Sequence, residues 1–436
     1  MTLYASVRHG LAVTGGRAVL GVVRWRDTFR RPRAHPHLAP PLRSGVRLKE
    51  LIARHYLKGR TASSAVPVAW VTSGAPVEPL VALGYHVHYP ENHGAICGIR
   101  RVAEDLCTAA ESAGWSRDLC SYARTDLGVV LTGRTPVGRL PRPDLLVCCT
   151  NICQTVLGWY QVLAERFGVP MALVDTPFLY GTAPPHALTY VERQIEVLVE
   201  AAERAAGRTL DPGRLHAVTR RSKDACTLWR EVVDRARHRP SPITAFDTFV
   251  HMAPIVEMRG EACTVDYYAA LLEELDGRVA RGEGALLEEQ VRLAWDNLPI
   301  WPRMRWLSDR LAARGAALVA SPYARAWGEL ADLIDPERPV ASAARVYLHP
   351  ILNLGIGQRL AALRALARDC QVDGVLLHSD RSCRPWSSGQ ADIRDRLVRE
   401  DKIPALLLEA DHSDPRAFSE AQASARIDAF LEGLGA

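Results

Sequence analysis

RPDLLVCCTNICQTVLGWYQVLAERFGVPMALVDTPF, residues 142–178, reads as a strand, a helix and a second strand. DLLVCC (144–149) is an apolar run of strand length. After Cys153, Val156, Leu157, Tyr160 and Leu163 recur at helical spacing, and VPMALVDTP (169–177) is apolar again. A strand returning to a second strand through a helix implies parallel pairing. Cys153 then lies where the strand crosses into the helix, the edge of an open α/β sheet at which ligands bind.

The same unit recurs on both sides. VPVAWVTS (66–73), a short helix in GAPVEPLVALG and YHVHYP (85–90) precede it, and GIRRVAEDLCTAAESAG (98–114) reads as one helix. From 187 to 290 the pattern is almost purely helical with charged faces, and this reading carries the helix through VRLAW. A second α/β unit begins near LPIWPRM, with the helix LSDRLAARG and strands in ALVASPY, ARVYLHP, VDGVLLHSD (372–380) and PALLLEAD. Cys383, in HSDRSCRPWSSGQ, follows a strand and precedes a helix as Cys153 does, and Cys120 in RDLCSYARTDLG has a comparable setting. The fold class is therefore α/β, with two Rossmann-like domains whose parallel sheets are flanked by helices. The expected division is a basic N-terminal extension at 1–47, a first α/β domain at 48–186, a helical connecting segment at 187–290 and a second α/β domain at 291–436.

The formal charge of +5 is unevenly placed. Residues 1–60 hold 13 Lys or Arg against Asp27 and Glu50, leaving 41 basic and 47 acidic groups in the other 376 residues. A mildly acidic body argues against a nucleic-acid groove. The basic excess sits in RWRDTFRRPRAHPHLAPPLRSG, which has no sustained apolar period and reads as disordered, although it shares the Arg-rich, acid-poor look of a transit peptide. No apolar run reaches the roughly 18 residues that span a bilayer. A soluble, cytoplasmic protein is expected.

Ten cysteines in a chain this long do not make a secreted disulfide framework, and reduced thiols are free to bind metal. Cys107, Cys226, Cys263 and Cys370 fall in helical patterns and read as small buried hydrophobes. Cys97, Cys148 and Cys149 stay open candidates. With no CxxC pair, spacing alone is a weak argument for zinc or an iron–sulfur cluster. There is also no GxxxxGK[ST] loop, no GxSxG elbow and no HExxH.

The blocks TSGAPVEPLVALGYHVHYPENHGAICG, SRDLCSYARTDLG, RPDLLVCCTNICQTVLGWYQVLAERFGVPMALVDTPF, HSDRSCRPWS and EADHSDPRAFSEAQ occur in this order. Together they resemble the 2-hydroxyacyl-CoA dehydratase and benzoyl-CoA reductase subunit family, of the 2-hydroxyglutaryl-CoA dehydratase D-component type, over about residues 48–436. The resemblance implies a 4Fe-4S cluster on Cys120, Cys153 and Cys383, with Cys149 competing for the middle place. Three protein thiolates leave one iron open for an oxygen ligand. Cys153 at a helix start would have its thiolate favoured by the helix dipole.

The chemistry implied is loss of water from a 2-hydroxyacyl-CoA. One low-potential electron makes a ketyl radical anion that expels the hydroxide; the β-proton is then acidic enough to leave, and the electron returns. The electron would come from a separate ATP-dependent iron–sulfur activator, and a homologous second subunit would complete the enzyme. Alternatives are a benzoyl-CoA reductase type subunit, a double-cubane-cluster reductase that would use Cys97, Cys148 or Cys149, and a non-catalytic cluster-holding subunit. Ser73 and Glu91 close strands on the cysteine edge. Ser73 is expected to hydrogen-bond the substrate hydroxyl or open-site ligand, and Glu91 to act as base or orient the hydroxide; the plainer reading is a turn-capping Ser and a salt-bridged Glu. His378, Ser379 and Arg381 are candidates for fixing the Cys383 loop, and His93 is a weaker base candidate. Asp411, His412 and Asp414 read as a turn and helix cap, and the Trp-rich RLAWDNLPIWPRMRW as core packing.

Overall fold

The apolar runs fold as parallel strands. The computed structural model of the protein describes residues 34–62 and 66–435. β1 (Val68–Val71), β2 (His86–His88), β3 (Leu145–Cys149) and β4 (Met171–Val174) form one sheet in the order β2-β1-β3-β4, each neighbour parallel. β5 (Val291–Asp296), β6 (Ala316–Ala320), β7 (Gly374–Asp380) and β8 (Ala405–Ala410) repeat the topology as β6-β5-β7-β8, again all parallel. β1, β3, β5 and β6 are buried along their whole length, as strands covered on both faces must be. The expected class, two parallel sheets flanked by helices, is the observed one.

In each sheet the chain first builds toward one edge, then returns to build toward the other. The loops after β1 and β3 diverge, as do those after β5 and β7, leaving a crevice at the carboxyl ends of the strands. Between the sheets run the long helices Pro185–Ala206, Pro212–Asp234 and Ala262–Ala280. Asp211 caps the second by accepting from the Arg214 N–H at 2.7 Å, and Trp229 and Tyr268 pack their rings 5.1 Å apart in its core face.

Some local readings need correction. VRLAWD, read as the end of a helix, is β5, an inner strand of its sheet. The disguise is Arg292, which is fully buried because its guanidinium donates to His238 O at 2.9 Å and Glu289 at 3.1 Å. ARVYLHP, read as a strand, ends the helix Pro339–Leu348, which Pro339 opens at a position where no N–H is needed. The single helix over 98–114 is two, Pro90–Ile99 and Ala103–Ser112, broken where Arg101 takes φ 58°. Residues 1–33 of the expected basic extension lie outside the described residues. Its last part is structured: Ala39 N–H donates to Ala285 O at 2.9 Å, Leu42 is buried, and a helix starts at Ser44. Among the described residues no helix is long and apolar enough to cross a membrane.

Candidate functional site

The first crevice is built by close approach of two backbones. A Cβ on Gly74, in the loop after β1, would meet Asn151 Oδ1 at 2.3 Å and Ile152 Cγ2 at 2.7 Å in the loop after β3. Asn151 locks the pair by donating from Nδ2 to Gly74 O and to Tyr347 O, both at 2.8 Å. This fixes Ser73 and Cys153 on facing loops, the one just past β1 and the other just past β3.

Cys120 and Cys383 arrive from elsewhere. Cys120 immediately precedes the helix Ser121–Thr132, Cys383 precedes the short turn Arg384–Ser387, and Cys153 stands two residues before the helix Thr155–Phe167. All three are half-buried and line one cavity of about 160 Å³ together with Ser73 and Glu91. Cys148 and Cys149 are fully buried and do not line it, and Cys97 is sealed in a small cluster with Ala103, Leu106 and Val129. The helix starts do not leave free thiolates: burial pushes the Cys153 thiol up to about 12 and Cys383 well above its ordinary value. Bound metal is what would hold these sulfurs as thiolates.

The donor set suits a polynuclear cluster better than a single ion. Among the described residues, the metal-ligating group whose donor atoms all lie within 4.8 Å of one another is Asp380, Asp411 and His412; the three thiols are spread more widely than that. Thiolates sharing one zinc, with Zn–S near 2.3 Å, would sit closer. The Asp–His group is already occupied by protein donors. Asp380 Oδ2 meets His412 Nδ1 at 2.7 Å, and Asp411 accepts from Ser382 Oγ at 2.6 Å and from the Ser413 and Asp414 N–H groups at 2.8 Å.

These contacts weld the two domains at the cysteine loops. Asp380 Oδ1 accepts from the Cys383 N–H at 3.2 Å, while His412 Nε2 reaches Ser121 Oγ at 2.8 Å and Cys120 Sγ at 3.8 Å. The imidazole is fully buried, its ring centroid 4.1 Å from that of Tyr122. Burial would lower its pKa, but the Asp380 and Asp411 carboxylates raise it well above the ordinary histidine range. The two carboxylates thus favour the protonated form of the imidazole beside Cys120.

Glu91 is the second polar feature. Its Oε1 accepts from the Ser73 N–H at 3.2 Å, and Oε2 is buried without a hydrogen-bond partner. Burial raises its pKa to about 8, so at neutral pH the carboxyl keeps its proton. It forms no salt bridge among the described residues, which removes the plainer reading of a salt-bridged Glu. Nearby, Trp159 lines the cavity and donates from Nε1 to Asp126 at 2.8 Å; burial lifts Asp126 to about 7.

The rest of the wall is apolar and aromatic: Met252, Val256, Leu298, Tyr323, Trp327 and Trp386 are among its members. Two cations stiffen it without entering. The Arg259 guanidinium lies 4.0 Å from the Trp327 ring centroid and is held by Glu78 and Tyr347; that of Arg359 lies 4.8 Å from the Trp386 ring and donates to Pro385 O and Trp386 O.

Other sequence candidates fall outside the cavity. His93 is buried against Thr135 Oγ1 at 2.8 Å and Cys97, and His378 spends Nδ1 on Leu298 O at 2.7 Å, which steadies the loop after β5. Ser379 pairs with Glu409 across β7 and β8, and Arg381 is exposed. Asp411 and Asp414 do form the expected turn and cap, Asp414 accepting from the Arg416 N–H at 3.1 Å. His412, between them, does line the cavity, and its partner Asp380 carries no local sequence mark. The available signal was their common place at the carboxyl ends of β8 and β7, and pairing of these strands appears only in the sheet.

A family model described as 2-hydroxyglutaryl-CoA dehydratase, D-component, matches residues 72–434. The chain is 31% identical to the (R)-phenyllactyl-CoA dehydratase alpha subunit of Clostridium sporogenes, over 88% of this chain and 96% of that one. It is 30% identical to the (R)-2-hydroxyisocaproyl-CoA dehydratase alpha subunit of Clostridioides difficile, over 89% and 95% respectively. Against a benzoyl-CoA reductase subunit of Thauera aromatica it is 29% identical, over 89% and 94%. A match running from just past β1 to the last helix takes in the other seven strands and every loop that lines the cavity, so the chain belongs to the 2-hydroxyglutaryl-CoA dehydratase D-component family.

Proposed function

We propose that this chain is the iron–sulfur subunit of a 2-hydroxyacyl-CoA dehydratase, with Cys120, Cys153 and Cys383 holding a 4Fe-4S cluster that has one open iron. The observation that carries this reading is the convergence of those three thiols, from both domains, with Ser73 and Glu91 in one largely apolar cavity. When bound, such a cluster supplies one low-potential electron for the thioester and a vacant site for an oxygen ligand.

The chain's own groups handle protons and solvent. The apolar wall excludes water and so strengthens each hydrogen bond inside it. Ser73 donates to the substrate hydroxyl. Glu91, neutral at pH 7, first gives its proton to the departing hydroxide; the carboxylate left behind then takes the β-proton. The proton count closes, which matches a reaction that consumes no reductant. His412, paired with Asp380, sets positive charge beside the Cys120 sulfur.

The alpha-subunit names of the relatives support a homologous second subunit, and the absence of a GxxxxGK[ST] loop fits an ATP-dependent activator on another chain. Ten free cysteines suit a reducing cytoplasm. The likeness to the benzoyl-CoA reductase chain favours a second reading, in which the same cavity delivers electrons to an aromatic ring. A larger fused cluster is less well supported, because Cys97, Cys148 and Cys149 do not line the cavity.

The test is anaerobic purification with iron and acid-labile sulfide counting and an EPR spectrum. About four irons per chain are expected in wild type and Cys149→Ala, and none in Cys120→Ala, Cys153→Ala or Cys383→Ala. A colourless protein, or one binding a single zinc, overturns the reading. Loss of water from a 2-hydroxyacyl-CoA without net reduction separates the dehydratase from the reductase.

A further inference from the structure

We propose that the acyl group taken by this cavity is an uncharged, mainly hydrocarbon chain, alkyl or aryl, which lodges against the wall formed by Tyr323, Trp327 and Trp386; a carboxylate-bearing acyl group such as 2-hydroxyglutaryl is excluded. The inference deepens the proposed function and rests on it for the thioester. Its own basis is the chemistry of the wall.

Among the described residues no Lys or Arg lines the cavity. Its one basic side chain is His412, whose nitrogens already engage Asp380, Ser121 and Cys120. The polar atoms offered by the wall are neutral, including the Tyr323 hydroxyl, the Asn92 amide and the Trp386 indole N–H, which is buried with no partner in the protein. Such donors suit a carbonyl or hydroxyl oxygen but do not neutralise a full charge. The nearest buried cations stand outside. Arg259 is engaged by Glu78, Tyr347 and Ile255 O, and Arg359 by Pro385 O and Trp386 O; each packs on an indole of the wall, and neither lines the cavity. A carboxylate brought here would lose its water without gaining a counter-ion, and it would face the Glu91 carboxyl and the sulfur ligands at the other end. Burying an unpaired charge is among the costliest events in a protein interior. Hydrocarbon and aromatic acyl chains gain from the same wall by desolvation and by edge or face contact with its rings.

The full chain, purified anaerobically with any subunit that accompanies it, would be titrated calorimetrically with 2-hydroxy-3-phenylpropanoyl-CoA, 2-hydroxy-4-methylpentanoyl-CoA and 2-hydroxyglutaryl-CoA. The first two are expected to bind at least about 100-fold more tightly than the third. Equal affinities, a preference for 2-hydroxyglutaryl-CoA, or no binding of any of the three overturns the inference. Trp327→Leu should weaken the phenyl compound about tenfold while leaving 2-hydroxyglutaryl-CoA unchanged, and Ala326→Leu, which narrows the same wall, serves if Trp327→Leu does not fold. Unchanged affinity in the folded variant overturns the placement. Binding with the expected preference but without loss of water would leave this inference standing while defeating the dehydratase reading.

Discussion

Glu91 is where single-residue chemistry can be tested most directly. Its raised pKa means that as pH climbs from the ordinary value of 4.5 toward about 8, the unfolded chain gives up a proton that the folded chain retains. Stability present at low pH is therefore lost across that window and levels off above it. Glu91→Gln keeps an oxygen for the Ser73 N–H but has no proton to lose, so its denaturation midpoint should gain on wild type from about pH 5 to about pH 8 and then run parallel. In the assay with an activator, the same variant should lose about 100-fold or more in turnover. The wild-type rate should fall above about pH 8 as Glu91 ionises and can no longer protonate the hydroxide, a limb absent from the variant's residual rate. At this scale the sequence offered Glu91 as a base or as the group that orients the hydroxide, and the raised pKa adds the role of proton donor proposed here. Local sequence cannot report that, among the described residues, Glu91 forms no salt bridge.

Elements hold the cysteines at their ends, so their packing is felt at the site. The helix that starts just after Cys120 presses Gly128 against the neighbouring helix Ala103–Ser112, where a Cβ would lie 2.1 Å from Leu106 O. Backbone cannot yield as a side-chain tip does. Gly128→Ala should cost about 1–3 kcal/mol in urea unfolding and reduce iron content by displacing Cys120. Strands at the head of a crossover were legible, because apolar runs and helical spacing are local signals. β5 was not, since a buried arginine interrupts its run and a Glu-rich lead-in reads as helix; its hydrogen-bond partners at 236 and 238 lie outside any local window. ARVYLHP failed the opposite way, as a β-branched and aromatic cluster on the buried face of a helix end.

Across the whole molecule the two domains meet through a buried ionic knot. Arg124, fully buried, donates to Glu111 at 2.6 Å within the first domain and to Asp414 at 2.9 Å beyond β8. Burial alone would raise the Asp414 pKa, but hydrogen bonds from Arg416 and Arg124 hold it at about 2. Its contribution is thus present above the ordinary 3.8 and lost as pH falls toward 2. Arg124→Met leaves Asp414 and Glu111 to Arg416 alone and should destabilise the chain by about 1–3 kcal/mol. Denaturation of this variant at neutral pH would check it, and iron content should fall with the interface, because Cys120 and Cys383 approach each other only across it.

By itself the sequence determined the fold class and the family, since strand and helix periodicity are local and the family's blocks keep their order along the chain; Cys120, Cys153 and Cys383 it offered as candidates. Only the tertiary structure shows that Cys153 lines the cavity and Cys149 does not: Cys149 is the last residue of β3, sealed in the sheet, and Cys153 stands four residues beyond it in the loop. Only it could bring His412 to Cys120 and Asp380, or build a wall from Met252, Tyr323, Trp327 and Trp386, residues drawn from elements far apart in the chain. The reason is physical. A strand declares itself within a few residues through the surface it must bury, whereas a site is made of distant side chains that become neighbours only after two sheets have packed.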